Sequence, residues 1–275
     1  MKNRIHYLRL SMLLVMIAIF CGCTYDGYLP APNSFLKKII SGGYVVEQIS
    51  YNQANLVSEV NGTSFYRIFH YDKNNMLIKE EVAISPDSYS SSILPGTTHE
   101  FVDPNETGIS MYSVYEYEDN GKLTRQLNYV PVNGQFIFRS MRTFEYDGNN
   151  MISKALLHDR DSTVTQFFTY QYDNNGNVIE ENYFTYLFIP AGTGPKHLSK
   201  TTFEYDSYFN PIAIFKQTAN PGIFTNLNNI IKTKIFNYDD TPGIDYYSES
   251  ETTYDYNNDS GYPVKIKGGE EYIYD

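Results

Sequence analysis

Residues Phe167 to Phe184 read FFTYQYDNNGNVIEENYF, two runs rich in aromatic and β-branched residues around a knot of Asp, Asn and Gly. Residues of the first kind populate strands, and those of the second tolerate the left-handed backbone that short hairpin loops demand. The stretch predicts a β-hairpin. Its recurrence decides the fold. An aromatic or Ile, one residue, then Tyr stands at Ile49–Tyr51, Phe69–Tyr71, Tyr115–Tyr117, Phe144–Tyr146, Tyr170–Tyr172, Phe203–Tyr205, Phe236–Tyr238, Tyr254–Tyr256 and Tyr272–Tyr274. Nine copies cannot be nine active sites; they are a repeated architecture.

A polar cluster and a second apolar-led run follow each of the first eight copies, as in YNQANLV after Ile49-Ser50 and YDKNNML after Phe69-His70. Successive motif tyrosines lie 20, 46, 29, 26, 33, 33, 18 and 18 residues apart, so the turn is constant while the return connection varies. In an up-and-down meander the tight turns share one rim and the variable connections the other. The long excursions, Ala83–Ser110, Thr185–Ser199 and Gln217–Asn229, are therefore expected on the rim away from the Tyr-Asp turns. A ligand recognised by loops would be met there.

The two-residue period of a strand puts the aromatic and the Tyr of each motif on one face. The residue between them, Ser50, His70, Glu116, Glu145, Gln171, Glu204, Asn237 or Asp255, takes the other. One aromatic face and one mostly wet face predict an all-β fold: an antiparallel up-and-down meander of repeated hairpins, closed or nearly closed as a barrel of roughly 14–17 strands. The motif tyrosines are read as core. Tyr89, Tyr112, Tyr186 and Tyr208, outside the regular positions, are the candidate ligand-binding aromatics, since a phenol offers an apolar body and a polar tip.

The form Tyr172-Asp173-Asn174-Asn175-Gly176-Asn177-Val178 looks like the Rhs/YD repeat. Its setting resembles uncharacterised Bacteroidales-type lipoproteins built from degenerate YD-like repeats, and the resemblance implies a porin-like β-barrel over nearly all of residues 36–275. In large toxins such repeats form a shell around a cargo; this chain is too short for that shell, and the toxin function does not carry over.

Lys2, Arg4 and Arg9 precede an apolar stretch, Leu10 to Phe20, that ends on Cys21-Gly22-Cys23. The stretch is short for a permanent span and its flanks fit an export signal. The final cysteine resembles the lipobox of bacterial lipoproteins, which assigns Cys23 as the lipidated N-terminus; Phe20 departs from the strict pattern. The alternative is an ordinary secretory signal with two incidental cysteines. The lipoprotein reading divides the chain into a signal (1–22), a Gly- and Pro-containing tether (23–35) and a single YD-like repeat β domain (36–275). It places the protein at the outer membrane by a lipid anchor. Losing the signal leaves 18 Lys plus Arg against 32 Asp plus Glu. Such an acidic balance, with no basic cluster, argues against nucleic acid as a partner.

Catalytic constellations are missing. The stretch from Asp103 matches only the opening of a calcium loop, with Val114 where a bidentate Glu belongs, so no metal is expected. Glu80-Glu81, Glu180-Glu181 and Glu270-Glu271 are adjacent and would point to opposite faces, unlike the facing carboxylates of glycosidases. His70, His99, His158 and His197 show no zinc or triad spacing and read as surface residues. No cofactor is expected. The sequence thus predicts a non-enzymatic envelope protein binding or displaying glycan, peptide or protein ligands. Two alternatives are a hydrolase with carboxylates brought together across strands, and a purely structural envelope component.

Overall fold

In the computed structural model the described residues are 34–85, 101–187, 189, 192–238, 246–256 and 260–275. The strands run in chain order as β1 (Leu36–Ser41), β2 (Tyr44–Tyr51), β3 (Val57–Gly62), β4 (Phe65–Tyr71), β5 (Leu77–Ile84) and β6 (Met111–Tyr117). Then come β7 (Leu123–Val132), β8 (Gln135–Tyr146), β9 (Ile152–His158), β10 (Val164–Tyr172), β11 (Val178–Thr185) and β12 (Lys196–Phe209). The last are β13 (Asn228–Asn237), β14 (Tyr246–Glu251), β15 (Tyr254–Tyr256), β16 (Pro263–Ile266) and β17 (Glu271–Tyr274). Every ladder is antiparallel and joins neighbours in sequence, except that β1 also pairs with β17, Leu36 opposite Tyr274. The all-β meander read from the repeat is the fold.

No ladder joins β14 to β15, which are linked by Thr252-Thr253. The Thr252 N–H donates to Ile231 O, and Thr253 O accepts from Lys267 N–H. Successive residues of a strand direct their backbone groups to opposite edges, so one continuous segment meets β13 on one side and β16 on the other. The ladders therefore do not close the sheet: β14 and β15 are joined by the chain alone.

Each regular turn is built by one side chain. Oδ1 of Asn52, Asp72, Asp147 or Asp173 accepts the N–H groups two and four residues on, at 2.8–3.0 Å. The residue three on takes a positive φ: Asn55, Asn75, Asn150 and Gly176 lie between 61° and 83°. That is the physical content of the repeat's Asp-x-Asn/Gly spelling.

The motif tyrosine has a second task. Its hydroxyl donates to the carbonyl that opens the preceding return strand: Tyr51 to Leu36, Tyr71 to Val57, Tyr117 to Leu77, Tyr146 to Leu123, Tyr172 to Ile152, Tyr205 to Val178 and Tyr274 to Pro263, at 2.5–2.8 Å. Each hairpin is thereby clasped to the one before it, and the ring fills the inner face. We expect Tyr117→Phe, which strands the carbonyl of the fully buried Leu77, to lower stability by about 1–3 kcal/mol. Urea denaturation checks this, with the outward Tyr112→Phe expected to shift by less than about 0.5 kcal/mol.

Two expectations need correction. Phe236-Asn237-Tyr238 is not a structural copy of the motif. It ends a strand running away from the turn rim, and its register pairs Phe236 with Lys200 and Tyr247, both outward. The spelling matched, but the strand direction is reversed; most of the turn expected after it lies outside the described residues. The excursion expected on the far rim over Gln217–Asn229 instead leaves from the turn rim, because β12 runs past Tyr205 to Phe209 before turning. Asn210 caps a 3-10 helix, Pro211–Thr218, its Oδ1 accepting from Ile212 N–H. Short and Pro-led, that helix carries no helical period that could be read in advance.

This insert packs into the interior. Ala213, Phe215, Thr218 and Ala219 are buried. Phe215 lies 6.0 Å from the Phe69 ring and 5.8 Å from that of Phe224, and it belongs to the core formed by Leu36, Ile49, Val60, Leu77 and Leu123. Gln217 Oε1 accepts from Leu77 N–H, and its amide donates to Asn75 O. The return to β13 is locked by Asn177, fully buried, whose Nδ2 donates to Asp173 Oδ2 and Asn228 Oδ1, while Asn226 Oδ1 accepts from Val178 N–H. Turns equivalent to Asp173–Asn177 carry Leu56, Met76 or Met151 at that position. The turn that spells the repeat most fully is also the one that has a second job.

Candidate functional site

The inner face divides by height. Near the insert, three neighbouring strands bring Arg67, Glu80 and Tyr115 together. Arg67 Nε donates to Glu80 Oε1 at 2.7 Å and Tyr115 Oη donates to Oε2 at 2.8 Å. The Arg67 guanidinium lies over the rings of Phe69 and Phe215, 4.8 and 5.1 Å from their centroids. Burial, then Glu80, pushes the Tyr115 phenol far up. Both oxygens of Glu80 are used and the cation is covered, so the group is closed to a ligand. Nearby, burial and then Glu270 raise the Glu47 carboxyl, with Arg67 partly opposing.

Toward the far rim the inner face is polar and less filled. Ser113 Oγ donates to Asn128 Oδ1, whose amide donates to Ser140 Oγ, and Gln126 Nε2 donates to Ser113 Oγ. Gln126 stands directly across from Arg142. Arg142 donates through Nη1 to Asn220 of the insert. Its Nε and the Oε1 of Gln126 are buried with no protein partner. Burial pulls the Arg142 guanidinium below its usual value, opposed by Tyr170, Tyr115 and Glu181. Burial raises the Glu181 carboxyl, which Arg142 partly restores.

Of these residues Asn128, Ser140 and Arg142 line a cavity of about 320 Å³, together with Leu157, Arg139, His158 and the β9–β10 turn, Asp159 to Asp161. That turn repeats the side-chain geometry of the motif turns on the opposite rim, Asp159 Oδ1 accepting from Asp161 and Thr163 N–H. His158 is held between Thr143 Oγ1 and Ser162 O. Sequence reasoning missed this site. Asp159-Arg160-Asp161-Ser162-Thr163 carried a turn signal, but nothing in it showed that Arg139 and Arg142 would stand beside it.

The predicted aromatics are not brought together. Tyr112 lies on the outer face, stacked on Tyr129 at 4.7 Å beneath Lys79. Tyr186 follows β11, exposed and tilted toward Phe167 at 6.1 Å. Tyr208 is on the turn rim, stacked on Tyr256 at 4.0 Å. Tyr89, Cys23, the tether and His99 lie outside the described residues. An outward ladder was not foreseen: Phe167 on Phe184 at 4.6 Å, Phe184 on His197 at 4.4 Å, and His197 against Tyr238 at 4.5 Å. Only cross-strand register assembles it.

Adjacent carboxylates split between faces, as the strand period requires. Glu81 faces outward to Lys79 and His70, each at 2.7 Å, and Glu180 outward to Lys200 at 2.5 Å. Asp103 caps a short helix, α1 (Pro104–Thr107), accepting from Asn105 N–H.

No known family's sequence profile and no curated protein matches the chain. Among solved structures it is similar to a porin-like protein from Bacteroides uniformis, at 12% identity and a TM-score of 0.39, over 89% of this chain and 99% of that one. A porin-like protein from Bacteroides vulgatus gives 11% identity and a TM-score of 0.38, over 88% and 99%. A protein of unknown function from Bacteroides fragilis gives 8% identity and a TM-score of 0.25, over 68% and 91%.

Proposed function

We propose that the chain is a lipid-anchored protein of the bacterial outer membrane, acylated at Cys23, that binds a glycan, peptide or protein ligand at the far rim without catalysing a reaction. The far-rim cavity carries this reading: Asn128, Ser140, Arg139, Arg142 and Arg160 line it with polar and charged groups beside the apolar Leu157, the arrangement of a binding site. The outer face supports an aqueous setting for the wall. Ion pairs recur across it, Arg125–Glu116 at 2.6 Å, Lys200–Glu180 at 2.5 Å, Lys232–Glu249 at 2.6 Å and Lys234–Glu204 at 3.2 Å. A strand cation turned to lipid at the bilayer midplane costs about 2–4 kcal/mol. The insert behind Phe215 fills the interior at the turn rim, which favours a pocket over an open pore.

The full chain is applied to glycan and peptide arrays, and Cys23→Ala is followed by fatty-acid labelling. A reproducible set of bound array members and loss of label are expected. Blank arrays with folded protein sink the binding role; label retained by Cys23→Ala sinks the anchor.

A further inference from the structure

We infer that the far-rim cavity recognises an oxyanion, a carboxylate or sulfate carried on a sugar-sized molecule. The inference deepens the binding role proposed above and rests on it. Five arginines lie among the described residues, in a chain with 32 acidic side chains. Two are matched with carboxylates: Arg67 with Glu80 at 2.7 Å and Arg125 with Glu116 at 2.6 Å. The other three, Arg139, Arg142 and Arg160, all line this one cavity. Among the described residues none of the three has a carboxylate within ion-pair distance. In so acidic a protein, unpaired arginines converging on one hollow are the reverse of what surface chemistry would scatter at random.

The geometry fits an anion. Arg142 is anchored through Nη1 on Asn220, hydrogen-bonded with Tyr170 and laid over the Phe144 ring, 5.4 Å from its centroid. A guanidinium so held presents a fixed positive charge to the cavity it lines, where a carboxylate or sulfate would meet it. Arg139 and Arg160 are exposed at the mouth, where they would draw in and cover the charge. Asp159 and Asp161 also line the cavity, and the Oδ1 of Asp159 is occupied by its own turn. Glu181, the carboxylate that Arg142 feels across the interior, forms no ion pair with it.

The rest of the lining argues for a polyol around the anion. Asn128 and Ser140 present amide and hydroxyl groups and Leu157 an apolar flank, the mixture that meets the hydroxyls and ring carbons of a sugar. About 320 Å³ holds one or two such rings and no folded partner.

The test is calorimetric titration of the full chain with galacturonate, with galactose 6-sulfate and with galactose as the neutral counterpart, at low and at raised salt. At least one acidic sugar is expected to bind, tenfold or more tighter than galactose, and to weaken with salt. Binding of one acidic sugar alone tells carboxylate from sulfate; binding of both supports the shared oxyanion. The Arg139→Ala/Arg160→Ala double variant, changed only at exposed positions, is expected to lose roughly tenfold or more in affinity. Failure of both acidic sugars overturns the inference, as does galactose binding equally well. Unchanged affinity in a double variant whose thermal melt matches the parent overturns it too. If neutral glycans or peptides bind on the arrays while both acidic sugars fail, the oxyanion falls and the binding role stands; blanks in both experiments remove both.

Discussion

Phe215→Ala is expected to destabilise the protein by about 3–5 kcal/mol and to lower its melting temperature on the order of 10 °C. Phe215 is 5% exposed and is the side chain through which the insert enters the core. Its removal leaves a void between Phe69 and Phe224 and strips one of the two rings from Arg67. That cation would then keep Glu80 and the Phe69 ring in a wetter setting. Differential scanning calorimetry decides the matter, with Phe215→Leu as the volume-sparing comparison at less than half the loss. A loss near zero for Phe215→Ala would show that the insert is an ornament on a wall stable without it.

The second large effect is alkaline. Burial pushes the phenol of Tyr71 up to about 12, and that of Tyr254 likewise. Tyr51, Tyr117, Tyr172, Tyr205 and Tyr274 are driven higher still, burial first in each case. The folded protein therefore holds protons that the unfolded chain releases near pH 10. With the folded value raised, the contribution to stability is complete below about pH 10 and is lost as pH climbs through the folded values. The clasps act as one set, since each hydroxyl must be neutral to donate. A titration should show exposed tyrosines ionising near pH 10, then a steep second step in tyrosinate absorbance coincident with loss of the β circular dichroism signal. All tyrosines ionising together near pH 10, with dichroism intact, would refute the clasp.

How much of this was legible follows from where each signal resides. The Asp, Asn and Gly of the turns act through their own backbone over five residues, so turn type, hairpin and face of the first strand could all be read locally. The role of Tyr146 or Tyr172 as core was legible as a period of two, but its partner, a carbonyl one hairpin back, was not: nothing in the spelling fixes a contact across the sheet. Phe236-Asn237-Tyr238 misled because a tripeptide carries no direction, and the turn it seemed to announce could be assigned to either rim. The insert was placed on the wrong rim because β12 runs past its motif to Phe209, and β12's end is set by the Phe209 N–H donating to Gly261 O, far along the chain. The cavity was least legible of all. Arg139 and Arg142 belong to one strand and Arg160 to a turn between two others, and only pairing of β8 with β9, Arg142 opposite Leu157, sets them beside one another.

The pairing of Leu36 with Tyr274 has a consequence for biosynthesis. Every other ladder can zip as soon as its hairpin emerges, because its partner is the neighbouring strand and little chain must be ordered to reach it. The outer edge of β1 has no such neighbour: its mate is β17, far along the chain. Until residues 271–274 are released, that edge stands open, a raw template for any extended segment that comes near. In a nascent sheet of this kind the point of greatest hazard is β1 and its remedy is β17.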